Sequence, residues 1–260
     1  MAYNTLKLEH EGEVAILTLA RPEKRNAIST QMIEELLAAL DAIDESSARV
    51  AIITGEGKAF CAGMDLDELR SIAEHSKREN FEDSRRMAAM FCRIYSFRKP
   101  LIAAVNGAAI AGGCGIATLA DFTLAVPESK FGYTEVKIGF MPALVSVFLR
   151  RQIGERHSRD LLLSGRILDA AEAFRIGLVT EIVAADKLMT RAREIAHILV
   201  ASSPLSIART KHLLVSAEEA ALKAEIAIAV RENADIRVTA DFKEGLASFL
   251  EKRPPKWTRK

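Results

Sequence analysis

Cysteine is scarce in this 260-residue chain. Cys61, Cys92 and Cys114 are odd in number and too few for a disulfide framework, which suits a reducing compartment. Charge of one sign is missing too. Thirty-six Lys and Arg stand against 35 Asp and Glu, a formal charge of +1, so no overall field gathers nucleic acid or an anionic membrane. Basic runs interleaved with aromatics are absent, which argues against RNA as the main partner. Five scattered histidines make a poor case for a structural metal, and none is expected. The G-x-S-x-G elbow, the G-x-x-x-x-G-K-[ST] phosphate loop and the H-E-x-x-H zinc motif do not occur. The opening MAYNTLKLEHEGE has neither the basic nor the apolar part of a secretory leader, and a cytoplasmic location is expected.

Long hydrophobic runs are nearly absent as well. From Leu101 to Ala120 no residue carries a formal charge, the length of a bilayer helix. Asn106, Gly107, Gly112, Gly113 and Gly115 divide the run into a strand, LIAAV, a turn and a small-residue helix, so it reads as buried core and no membrane segment is expected. With 49% hydrophobic and 27% charged residues, the chain has the composition of a globular protein with room for one large domain.

The periodicity organises that domain. Leu6 to Leu19 alternates around Glu11-Gly12-Glu13, as a β-hairpin does. Ile33, Leu36, Leu37, Leu40 and Ile43 mark one face of an amphipathic helix. Apolar strands are expected at Arg49–Thr54, Leu101–Val105, Phe122–Val126 and Val179–Val183, with a long helical stretch from Leu66 to Arg98 and further helices near Gly113–Leu119 and Ala143–Gln152. Strands separated by helices give an α/β class. After Asp186 the pattern is helical throughout: Leu188–Val200, Pro204–Val215, Glu218–Arg231 and Asp241–Leu250. We therefore expect a mixed core over residues 1–195 and a helical region over 196–260.

Three segments carry candidate chemistry. Ala59-Phe60-Cys61-Ala62-Gly63-Met64-Asp65 follows one strand, and Asn106 to Gly115 follows another and runs into a helix. Small residues allow close backbone approach and leave amides free at a helix start. One amide from each loop, aimed at one carbonyl oxygen, would make an oxyanion hole. The same spacing suits tight packing of backbone on backbone, and the residues alone leave both readings open. In the third segment, Phe131 to Pro142, Glu135 sits among bulky apolar residues that would raise its pKa towards the range useful for proton transfer. The competing reading is a surface glutamate paired with Lys137 or Arg150. Gly113-Cys114-Gly115 lacks the third glycine of a dinucleotide fingerprint, and His157-Ser158 in a polar run reads as a solvated helix start.

Taken together, RPEKRNAIS (Arg21 to Ser29), KAFCAGMDL (Lys58 to Leu66), KPLIAAVNGAAIAGGCGIATLAD (Lys99 to Asp121), FGYTEVKIGFMP and FLEKR (Phe249 to Arg253) resemble the crotonase, or enoyl-CoA hydratase/isomerase, family over nearly the whole chain. The resemblance implies a spiral of ββα units with a C-terminal helical region that assembles as a homotrimer or a dimer of trimers. It implies an acyl-CoA thioester substrate, with coenzyme A as part of that substrate and no separate cofactor. The amides of Met64 and Gly112 match the family's thioester-binding pair, and Glu135 matches its second catalytic glutamate. Lys24, Arg25, Ala62, Asp65, Leu66, Phe249 and Lys252 match positions around the coenzyme. Lys252 equally suits a solvated tail, among Arg253, Lys256, Arg259 and Lys260.

The family's first glutamate position, twenty residues before the second, is Gly115. Hydration of 2-enoyl-CoA is the working expectation. A single glutamate also suits 3-enoyl to 2-enoyl isomerisation, or a branched, methylglutaconyl-type hydratase or decarboxylase. Non-catalytic acyl-CoA or RNA binding is the alternative outside enzymology. Asp65, Glu68 and Tyr133 are candidates to replace the lost carboxylate, and a Glu at position 115 is expected to restore hydration if water reaches it.

Overall fold

The opening hairpin forms where the alternation predicts. β1 (Leu6–Glu11) and β2 (Val14–Leu19) pair antiparallel, and Gly12 turns between them at φ +60°. The structure, a computed structural model, describes residues 3–258; Met1, Ala2, Arg259 and Lys260 lie outside it. α1 (Thr30–Glu45) starts at Ser29, whose hydroxyl accepts from the Met32 amide at 3.2 Å, and buries Ile33, Leu36, Leu40 and Ile43 on one side. β3 (Val50–Gly55) then lies parallel to β2.

From here a unit recurs. β3 is followed by β4 (Ala59–Cys61) and then by α2 (Leu66–Glu74) and α3 (Lys77–Tyr95). β5 (Leu101–Val105) is followed by β6 (Ala108–Ile110) and α4 (Gly112–Thr118). β7 (Phe122–Ala125) is followed by β8 (Lys130–Gly132), a 3-10 turn over Glu135–Ile138, and α5 (Ala143–Ser164). The first strand of each unit joins a six-stranded sheet, order β1-β2-β3-β5-β7-β10, and the second joins a four-stranded sheet, order β4-β6-β8-β9. β9 (Ile167–Asp169), α6 (Ala170–Arg175) and β10 (Glu181–Ile182) complete both sheets. This is the expected ββα spiral.

Several elements differ from the periodicity's forecast. The stretch Leu66–Arg98 is two helices, because Ser76 and Glu79 form a reciprocal capping box that starts α3 anew. The Val179–Val183 strand shrinks to Glu181–Ile182. α5 runs on past Gln152 to Ser164, with non-helical backbone at Gly154. Inside it, the Ser158 hydroxyl donates to the Gly154 carbonyl at 2.8 Å, so the His157-Ser158 pair is ordinary helix. The uncharged run Leu101–Ala120 holds β5, β6 and α4, and no helix among the described residues is long and apolar enough to cross a membrane.

The helical half is layered on the sheets. α7 (Leu188–Val200) buries Leu188, Ala192 and Ala196 against Ile16, Ile52, Ile102 and Leu124 of the large sheet, so the 195/196 boundary falls inside a helix that covers the core. α8 (Pro204–Ser216) buries no residue. α9 (Glu219–Ile236) lies along α3 and α5, and α10 (Ala240–Leu250) packs Phe242 and Leu246 on Leu69 and Ile72 of α2.

Candidate active site

Two loops leave the small sheet side by side. After β4 the chain is clamped to residues 25–28: the Ala62 amide donates to the Arg25 carbonyl (3.0 Å), Ile28 donates to the Gly63 carbonyl (2.7 Å) and Asp65 donates to the Ile28 carbonyl (2.9 Å). Among the described residues, the Met64 amide in the middle of this clamp has no acceptor. After β6, Ala111 takes φ 51° and ψ −124°, a conformation L-residues avoid, held by the hydrogen bond its amide donates to the Gly132 carbonyl at 2.7 Å. Gly112 then opens α4, and a first-turn amide has no carbonyl within its own helix to reach. The loops touch. A Cβ on Gly63, at φ +90°, would lie 3.1 Å from the Ile110 carbonyl oxygen and 3.2 Å from the Ala111 Cβ.

Glu135 arrives from a third direction, at the start of the 3-10 turn between β8 and α5. Its side chain is 8% exposed and Oε2 has no hydrogen-bond partner. Burial pushes its pKa up to about 7. The surface-pair reading fails, since Arg150 pairs with Glu225 at 2.7 Å and, among the described residues, no ion pair reaches Glu135.

Met64, Gly112 and Glu135 all line one cavity of about 160 Å³, walled by Ile28, Leu69, Phe91 and Phe140. Among the described residues Glu135 is the one carboxylate in that lining. The arrangement offers free main-chain donors, an apolar wall and one acid–base group near neutrality. It is suited to moving a proton beside a carbonyl whose oxygen takes up negative charge.

Of the other expected residues, Ala62, Leu66 and Phe249 line the same cavity. Lys24, Arg25, Asp65 and Lys252 do not. Lys24 pairs with Asp67 at 2.8 Å, Arg25 ends a short 3-10 turn at φ 51°, and Lys252 follows α10 on the exposed side. Asp65 caps α2 and is held by Arg21 at 2.7 Å.

Position 115 is closed. A Cβ there would lie 2.8 Å from Val145 Cγ1 and 3.0 Å from Phe91 Cε1, so apolar side chains fill the space a glutamate would need. The three candidate substitutes are engaged elsewhere. Asp65 faces Arg21, Glu68 accepts from the Thr30 amide at 2.9 Å, and the Tyr133 hydroxyl meets Thr118 at 3.2 Å in the core. Cys61 and Cys114 are also excluded as nucleophiles, because burial pushes both thiols up to about 12.

The sequence reading missed Asn233 and Arg237, which line the cavity from α9 and the turn after it. Arg237 is 1% exposed, and its Nη1 donates to Asp83 at 2.6 Å. A charged residue four positions after Asn233, mirrored by Asn80, Asp83 and Ser84 on α3, was the available signal.

Residues 9–260 match the family model described as enoyl-CoA hydratase/isomerase. This chain belongs to that family. A Thermus thermophilus relative bearing an enoyl-CoA hydratase name is 42% identical over 248 residues, covering 95% of this chain and 98% of its own. The crotonyl-CoA hydratase of Syntrophomonas wolfei is 34% identical over 260 residues, with 97% of each covered. A crystal structure of an enoyl-CoA hydratase/isomerase from Xanthobacter autotrophicus Py2 superimposes with a TM-score of 0.89 at 28% identity, covering 97% of this chain and 98% of that one. The enoyl-CoA hydratase/isomerase fold, a ββα spiral with a helical C-terminal region, is thereby established, and with it an enzyme of the hydratase/isomerase type acting on acyl-CoA.

Proposed function

We propose that this enzyme hydrates 2-enoyl-CoA thioesters with Glu135 as its single acid–base residue. The observation that carries the reading is the buried Glu135 carboxyl, its Oε2 without a partner, in the same cavity wall as the free Met64 and Gly112 amides. In this reading the two amides both donate to the thioester oxygen. The Glu135 carboxylate takes a proton from water as the water oxygen bonds to the β-carbon. The electron pair of the double bond moves onto the thioester oxygen, where each amide contributes about 2.7–4 kcal/mol. Glu135 then returns its proton to the α-carbon, and water has been added in full. A pKa of about 7 suits both halves, since a base and an acid of matched strength are needed in turn. The hydratase names of the relatives support the same assignment.

The closed position 115 favours a second reading. With no second carboxylate to hold water, Glu135 could instead remove an α-proton from a 3-enoyl thioester and return it to the γ-carbon, moving the double bond into conjugation. Product identification after incubation with crotonyl-CoA, 3-hexenoyl-CoA and 3-methylglutaconyl-CoA decides between them. Formation of 3-hydroxyacyl-CoA from crotonyl-CoA is expected. Conversion of the 3-enoyl substrate alone would reassign the enzyme as an isomerase, and turnover of none would overturn both.

A further inference from the structure

The cavity lining includes a charge that hydration does not use. Arg237 is buried against α3 and lines the same cavity as Glu135. Its Nη1 donates to Asp83 (2.6 Å) and its Nη2 to Asn233 Oδ1 (2.8 Å), but Nε has no acceptor among the described residues. Leaving such a donor buried and unpaired is unfavourable, and natural proteins keep few of them. Its position is also fixed. Phe140, whose amide donates to the Glu135 carbonyl at 3.1 Å, lies 5.5 Å below the guanidinium. The proton-transfer segment and the guanidinium therefore share a wall.

Asp83 balances the charge of this arginine but does not use all of its donors. The second oxygen of Asp83 faces Arg86 at 3.6 Å, so one carboxylate serves two guanidinium groups. The remaining partners, Asn80, Ser84 and Asn233, are neutral. These partners leave the Arg237 Nε–H without an acceptor, in a wall otherwise made largely of Leu69, Met87, Phe91 and Phe140. A methyl-ended acyl chain gives it nothing to pair with. A carboxylate would accept from Nε–H and complete the arginine's donor set, an interaction stronger than one between neutral groups.

We propose that Arg237 is the specificity-determining residue of this site and that the acyl chain it receives ends in a carboxylate, making the substrate class the CoA monothioesters of dicarboxylic acids. This rests on the reading of the cavity as an acyl-CoA site. The test uses saturated thioesters, which bind without turnover, titrated calorimetrically into the intact protein. Glutaryl-, adipoyl- and pimeloyl-CoA are each compared with the monocarboxylic thioester of the same length, and 6-hydroxyhexanoyl-CoA supplies a neutral acceptor. At one chain length or more, the dicarboxylic member is expected to bind about ten- to a hundredfold tighter, with the hydroxy compound close to hexanoyl-CoA. Arg237→Gln should abolish that preference, and Arg237→Lys should restore part of it. If the monocarboxylic thioesters bind and no dicarboxylic partner is preferred at any length, or if 6-hydroxyhexanoyl-CoA matches adipoyl-CoA, the proposal is wrong although the acyl-CoA reading stands. If no thioester binds, that reading itself falls. The wild-type comparison needs no variant, so a misfolded Arg237→Gln protein leaves the test intact.

Discussion

A buried carboxyl with no ion-pair partner among the described residues is held at a cost, and the sign of that cost can be measured. Glu135 has a folded-state pKa raised from 4.5 to about 7 by burial. The folded protein therefore holds this proton more tightly than the unfolded chain, and stability is lost as pH rises from about 4.5 through about 7. Above that window the loss levels off at about 3 kcal/mol, since one unit corresponds to 1.36 kcal/mol. Glu135→Gln keeps the shape and removes the titration. Urea unfolding across pH 4 to 8 should show the parent weakening relative to the variant by up to that amount, while kcat falls by about 10²- to 10⁴-fold. The parent's kcat/KM should decline below about pH 7 as the carboxylate is protonated. A variant that tracks the parent's stability at every pH would show that the carboxyl is not buried as described. This residue was legible in the sequence because its bulky neighbours, Phe131, Val136, Ile138 and Phe140, are adjacent in the chain. Arg237 was not, because its ion-pair partner Asp83 lies 154 residues away.

The two loops can be tested as a pair of elements. Their approach depends on Gly63, whose backbone lies at φ +90° against Ile110 and Ala111. Gly63→Ala adds a methyl group in a conformation L-residues avoid and wedges the Met64 loop from the Gly112 loop. A stability loss of about 1–2 kcal/mol is expected from the backbone alone. If the two amides act together on one oxygen, kcat should fall by tenfold or more with a smaller change in KM, because donors aimed at developing charge matter most in the transition state. An unchanged kcat in a folded variant would mean that the spacing of the loops is not what the chemistry uses. The sequence showed these loops through their glycines, yet hid the strands that carry them. β4, β6, β8 and β9 have three residues each, too few for alternation to register, and they are defined by their neighbours in the sheet. The long helices α1, α7 and α10 were legible because each keeps an apolar stripe over several turns.

At the scale of the whole molecule, the surface carries apolar residues that a lone chain has no use for. α8 buries nothing, yet it holds Leu205, Leu213 and Leu214 at 62%, 68% and 72% exposure. Leu163, Ile198 and Ile228 are exposed on the helices α5, α7 and α9. Each large aliphatic side chain removed from water gains about 1.5–3 kcal/mol. A handful at the centre of an interface is enough to hold copies of the chain together once association has offset lost rotational and translational freedom. We therefore expect a homotrimer, or two trimers paired, with α8 in the contact. Light scattering should give three or six times the 28.5 kDa chain mass. Leu213→Asp combined with Leu214→Asp places two charges on that face and touches neither the cavity nor the core. It should release 28.5 kDa monomers that keep the helical content of the parent. A parent that already runs as a monomer at micromolar concentration would refute the assembly, and a variant that remains a trimer would move the contact away from α8.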